Sequence, residues 1–73
     1  MARCKVYGNN PNEGPKMLKA QTVEEDINAQ YPSWKVTHNW TEESTVYSSD
    51  IPTYQQLEEA LQSHFSGFNF MED

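Results

Sequence analysis

Cysteine, the histidines and the paired carboxylates are the side chains of this chain that could do chemistry. Cys4, His38 and His64 are of the types that bind zinc. Zinc ligands usually come in pairs at short spacing, whereas these three stand alone. As a nucleophile Cys4 has Arg3 and Lys5 beside it, which would lower its pKa if they were near the sulfur. On a strand, however, both neighbours point away from it. The acids cluster as Glu24-Glu25-Asp26, Glu42-Glu43, Glu58-Glu59 and Glu72-Asp73. Adjacent acids lie about 100° apart on a helix and face opposite ways on a strand, so neither arrangement aims two carboxylates at one bond. GNNPNEGP, residues 8–15, offers glycines but no following Lys-Ser/Thr pair to hold phosphate. A chain of 73 residues also has little left over to wall a substrate pocket. Such a pocket typically needs about 300 Å³ or more. We expect no enzyme, no metal and no cofactor.

Binding is the other chemistry available. Arg3, Lys5, Lys16 and Lys19 stand against only Glu13 in residues 1–20, and Tyr7 lies among them. The rest of the chain holds ten acids and the single base Lys35, for a net charge of -6. Such a surface repels phosphates and steers basic proteins toward it, an effect that weakens with salt. Both tryptophans, Trp34 and Trp40, share a two-residue beat with Val36 and His38 in SWKVTHNW, while Lys35, Thr37 and Asn39 fill the other phase. On a strand that stripe is core material, with Val46 and Tyr47 of the returning strand beneath it. Tryptophan and tyrosine are also the residues most enriched at binding hot spots. The candidate partner-binding residues are therefore Arg3, Lys5, Tyr7, Lys16, Lys19, Trp34 and Trp40.

The elements that must position these residues follow from pattern. Residues 3–7 alternate as a strand, with Cys4 and Val6 on one side. Residues 8–15 form a mobile, turn-rich loop, and 16–21 fit either a strand or the lead-in to a helix. Thr22 and Glu25 have the capping-box spacing, so a short helix is expected from there to Pro32. Residues 34–40 read as the central strand, and 41–44 as the turn to a second strand at 45–48. Thr53 and Gln56 open the best helix, with Tyr54, Leu57, Leu61 and His64 or Phe65 on one face. Gly67 is the expected cap at its C-terminal end. Residues 68–73 make a tail.

The expected fold is α+β: a small antiparallel sheet packed by a C-terminal amphipathic helix, with a flexible N-terminal loop and a C-terminal tail. The length allows one domain, read here as a monomer. With one cysteine no internal disulfide is possible, which suits a reducing, cytoplasmic setting. No apolar run resembles a signal peptide or a membrane span. For that reason the sequon Asn39-Trp40-Thr41 is read as chance.

In size and character, over its whole length, the chain resembles small phage-encoded regulators of the bacterial host's RNA polymerase, such as those of Xanthomonas phages. The resemblance brings no functional residue with it. It implies a non-enzymatic protein that binds polymerase and inhibits transcription initiation, with terminator read-through as a further activity. Two alternatives stand beside it. One is an acidic mimic of nucleic acid that inhibits a host defence protein. The other is a small nucleic-acid-binding module using the basic N-terminal segment, although direct nucleic-acid contact is disfavoured by the charge.

Overall fold

The computed structural model describes residues 1–10 and 13–73. Its first strand, β1 (Ala2–Tyr7), alternates as the pattern implies. Ala2, Cys4 and Val6 are buried, and Arg3, Lys5 and Tyr7 face the other way. Helix α1 (Met17–Gln30), a 3-10 turn (Pro32–Trp34), β2 (Thr37–Trp40), β3 (Ser44–Ser49), helix α2 (Tyr54–Gln62) and β4 (Asn69–Glu72) follow. The four strands form one antiparallel sheet in the order β2-β3-β1-β4. β1 and β2 are thus parallel with β3 between them, and β3 and β4 are parallel with β1 between them. Two interleaved βαβ units of this kind make the ferredoxin-like, split βαβ order. Many unrelated activities share that topology, so it does not define this one.

Both helices pack on the Cys4 face of the sheet. Val23 and Ile27 of α1, Leu57 and Leu61 of α2, Tyr47 of β3 and Phe65 close the core around Cys4 and Val6. Burying side chains the size of Ile27, Leu57 and Leu61 stabilises by about 1.5–3 kcal/mol each. Thr45 Oγ1, on the same face, is buried with no hydrogen-bond partner among the described residues. A group left this way costs about 1–3 kcal/mol.

Four expectations need correction. First, the sheet is not packed by a C-terminal helix alone. The longest helix is mid-chain, and the expected tail supplies β4, which pairs with β1. β1 has two sides to its hydrogen-bonding ladder; β3 fills one, and the segment around Phe70 fills the other. Asp73 N–H extends the pairing by donating to the Arg3 carbonyl at 3.1 Å.

Second, α1 starts at Met17 instead of Thr22, and the Thr22/Glu25 pair lies inside it. Ala20, Val23 and Ile27 form one buried stripe at helical spacing. The buried Tyr47 hydroxyl donates to the Ala20 carbonyl at 2.7 Å, which seats the earlier turn on the sheet.

Third, residues 34–40 are not one central strand. Trp34 belongs to the 3-10 turn, Lys35 takes a left-handed φ of 50°, and only Thr37–Trp40 is extended, at the sheet edge. The break comes from Asn28, whose side chain clasps the Val36 backbone, accepting from its N–H at 2.7 Å and donating to its carbonyl at 2.9 Å. On β3 the phase also differs: Thr45, Tyr47 and Ser49 are buried, and Val46 lies on the opposite face.

Fourth, α2 ends at Gln62, and Gly67 serves a later turn at φ 85° instead of capping the helix. Its start is as expected: Gln56 N–H donates to Thr53 Oγ1 at 3.2 Å, and Thr53 N–H donates to Gln56 Oε1 at 2.9 Å.

The mobility expected of residues 8–15 falls partly on Pro11 and Asn12, which lie outside the described residues. Gly14 N–H donates to the Glu42 carbonyl at 3.0 Å. A Cβ there would come within 2.5 Å of the Glu43 carbonyl carbon, so this close approach requires glycine. Among the described residues no helix is long and apolar enough to cross a membrane.

Candidate functional site

The seven residues singled out by sequence do not converge. Arg3, Lys5 and Tyr7 share the open face of β1, where alternation puts them together. Lys5 Nζ lies 5.9 Å from the Tyr7 ring centroid. Arg3 is paired with Asp73 at 2.9 Å. With both side chains well exposed, such a pair contributes about 0–1 kcal/mol. Lys16 and Lys19 are exposed at the start of α1, in the layer on the other side of the sheet. The basic N-terminal segment therefore does not fold into a single stripe.

The two tryptophans part as well. Trp40 Nε1–H donates to the Pro15 carbonyl at 2.7 Å and so pins the loop leading into α1. Trp34 sits on the 3-10 turn and stacks on Tyr31, with ring centroids 4.1 Å apart and planes 11° from parallel. Trp34 faces α2 across a groove of about 370 Å³. One wall of the groove is Gln30, Tyr31 and Trp34, and the other is Gln56, Glu59 and Ala60 of α2 with its C-cap Ser63.

Most of these groove residues escape sequence reasoning, because Gln56, Glu59 and Ser63 fall on the solvent side of α2's helical wheel. The one available signal is the Tyr31-Pro32-Ser33-Trp34 spacing. Proline starts a tight turn, and residues three apart then stand side by side in it.

Charge is unevenly distributed over the molecule. The helix layer carries Glu24, Glu25, Asp26, Glu58 and Glu59 against Lys16 and Lys19. Glu24 is taken up by His38 Nδ1 at 2.8 Å. The open sheet face carries Arg3 and Lys5 among Tyr7, Thr37, Asn39, Val46 and Met71. Cys4 belongs to the core. Burial pushes its thiol up to about 11, with a hydrogen bond from Tyr54 pulling the other way and the Glu58 charge adding to the rise. A buried thiol held in its neutral form is a poor nucleophile. His38 and His64 are both half-buried. No group of three or more His, Cys, Asp or Glu side chains among the described residues could hold a metal ion.

Together the fold and the groove define a small α+β domain with an acidic helix layer and a stacked aromatic pair exposed at its edge. No family model, curated protein or solved structure matches the chain.

Proposed function

We propose that this chain is a non-enzymatic protein-binding regulator that docks a basic surface of its partner on the helix layer. The observation that carries this reading is the concentration of carboxylates on α1 and α2, on the side where the Tyr31–Trp34 stack is exposed. Unpaired acids steer a basic partner, and a rigid aromatic pair supplies the desolvated contact that steering alone lacks. The partner implied by the chain's resemblance is bacterial RNA polymerase, with inhibition of initiation as the outcome. A domain of this size acts on so large an enzyme by covering a patch of roughly 800 Å².

The test is affinity capture from bacterial lysate on the immobilised full chain, with bound proteins identified by mass spectrometry. Polymerase subunits are expected at an ionic strength of about 0.1 M and should be depleted as salt rises. The exposed-charge variant Glu25→Gln/Asp26→Asn should retain less of them. If no polymerase subunit is captured, the polymerase assignment is wrong. If capture is indifferent to both salt and the variant, the helix layer is not the docking side.

A further inference from the structure

The groove between the 3-10 turn and α2 has the chemistry of a receptor for one kind of side chain. We infer that it takes an arginine presented by the protein partner, an inference that rests on the protein-binding function proposed above. Its occupant must suit four features at once. The Tyr31 and Trp34 rings lie nearly parallel at 4.1 Å, a stack that a further flat group can extend. The Glu59 carboxylate stands on the opposite wall, and no basic side chain lines the groove. Gln30 and Tyr31 are the last residue and the C-cap of α1, so the partial negative charge of that helix end lies at the groove. Asp26 lies one turn before Gln30 on α1, adding a second acid on the approach. At the start of α2, whose partial charge is of the opposite sign, the Thr53 and Gln56 N–H groups are taken up by the Thr53–Gln56 capping box.

Arginine meets all of these features and other side chains do not. Its guanidinium is planar, so it stacks on an aromatic face while its edge donates to a carboxylate. Lysine brings the charge without the plane. A neutral aromatic side chain brings the plane and leaves Glu59 without a partner. The volume of about 370 Å³ accommodates one such side chain rather than a helix or strand.

The experiment follows the two indole N–H resonances of the full chain while a blocked Gly-Arg-Gly peptide is added up to about 100 mM, where weak single-side-chain binding becomes visible. The Trp40 indole, bonded to Pro15, serves as the internal control. Gly-Lys-Gly and Gly-citrulline-Gly peptides are run beside it at matched ionic strength. The expected result is a saturable shift of the Trp34 indole with the arginine peptide, several-fold weaker with lysine and absent with citrulline. Glu59→Gln, a change at an exposed position, should weaken the arginine peptide about two- to fivefold. Tyr31→Leu should weaken it further while Trp40 stays in place.

No saturable shift, equal shifts with citrulline, or equal affinity for lysine and arginine would each overturn the inference. Failure here leaves the lysate capture intact, because a partner can dock on the helix layer without filling this groove. Failure of the capture with a positive titration would overturn the polymerase assignment and keep the arginine site.

Discussion

The two faces of the sheet are built from the same strands and have opposite fates. Along β1, Cys4 and Val6 are fully buried under the helices while their neighbours Lys5 and Tyr7 are only half-covered. Along β3, Thr45 and Tyr47 are buried and Val46 between them is not. The covered face is where stability is made, and it is apolar apart from a few polar groups such as Thr45 and Ser49. On the open face the backbone pairing is supplemented only by surface contacts such as the Arg3–Asp73 ion pair and Lys5 over the Tyr7 ring. Five acids sit on the helices, where Lys16 and Lys19 stand at the start of α1, while Arg3 and Lys5 face outward from the open sheet. No charged side chain is buried in the core among the described residues.

That contrast is most directly broken by truncations to alanine on the two sides of the sheet. Leu57→Ala on the covered side should cost about 2–5 kcal/mol. Val46→Ala on the open side should cost within about 0.5 kcal/mol, both read from urea unfolding with unchanged slope. A comparable cost at Val46 would mean that something, such as a second copy of the chain, covers the open face in solution.

A smaller effect is expected at Asn28, which joins the covered layer to the groove. Asn28→Ala leaves the Val36 N–H and carbonyl without their partners and should cost about 1–3 kcal/mol. It should also loosen the Lys35 turn that holds Trp34. Asn28→Asp, which keeps the acceptor for Val36 N–H, should recover part of the loss. If both variants unfold like the parent chain, the clasp contributes nothing.

The smallest effect is invisible at neutral pH. The folded chain keeps the Cys4 proton up to about 11. The unfolded chain releases it near 8.5. Between those values the native state binds more protons than the unfolded one, so stability falls as pH rises, with no change below the unfolded value. Burial also raises the Tyr47 and Tyr54 hydroxyls, which extends the same trend above about pH 10. Denaturant titrations of the parent chain and Cys4→Ala between pH 7 and 10 should diverge only in the upper part of that range. A parallel decline in the variant would show that another group is responsible.

Legibility in the sequence followed the range of the interaction. The Thr53–Gln56 capping box and the alternation of β1 are local, and both stand where the pattern puts them. The Thr22–Glu25 spacing was equally local and misleading. Helix propagation costs little once Ala20 is seated against Tyr47, so the helix ran past that start signal. At β2 the alternation of Trp34, Val36, His38 and Trp40 imitated a strand. The Asn28 clasp and the positive φ of Lys35 broke it, through contacts that no window of the sequence displays. Of the candidate site, Trp34 was legible as an aromatic in need of a partner. Tyr31 was legible as its companion only through the three-residue spacing across Pro32, and Glu59 was not legible at all, because α2 meets the 3-10 turn only in the folded chain.

By itself the sequence determined the mixture of helix and strand, the split of bases at the start from acids after it, and the isolation of Cys4, His38 and His64. These depend on residue type and near neighbours, which a linear chain states outright. Only the tertiary structure decided that the last residues close the sheet instead of trailing, and that Trp40 pins a loop while Trp34 lines a groove. Those outcomes depend on which surfaces can be buried together. Pairing β4 against β1 satisfies a ladder left open sixty-odd residues earlier in the chain, and the cost of closing so long a loop grows only slowly with its length.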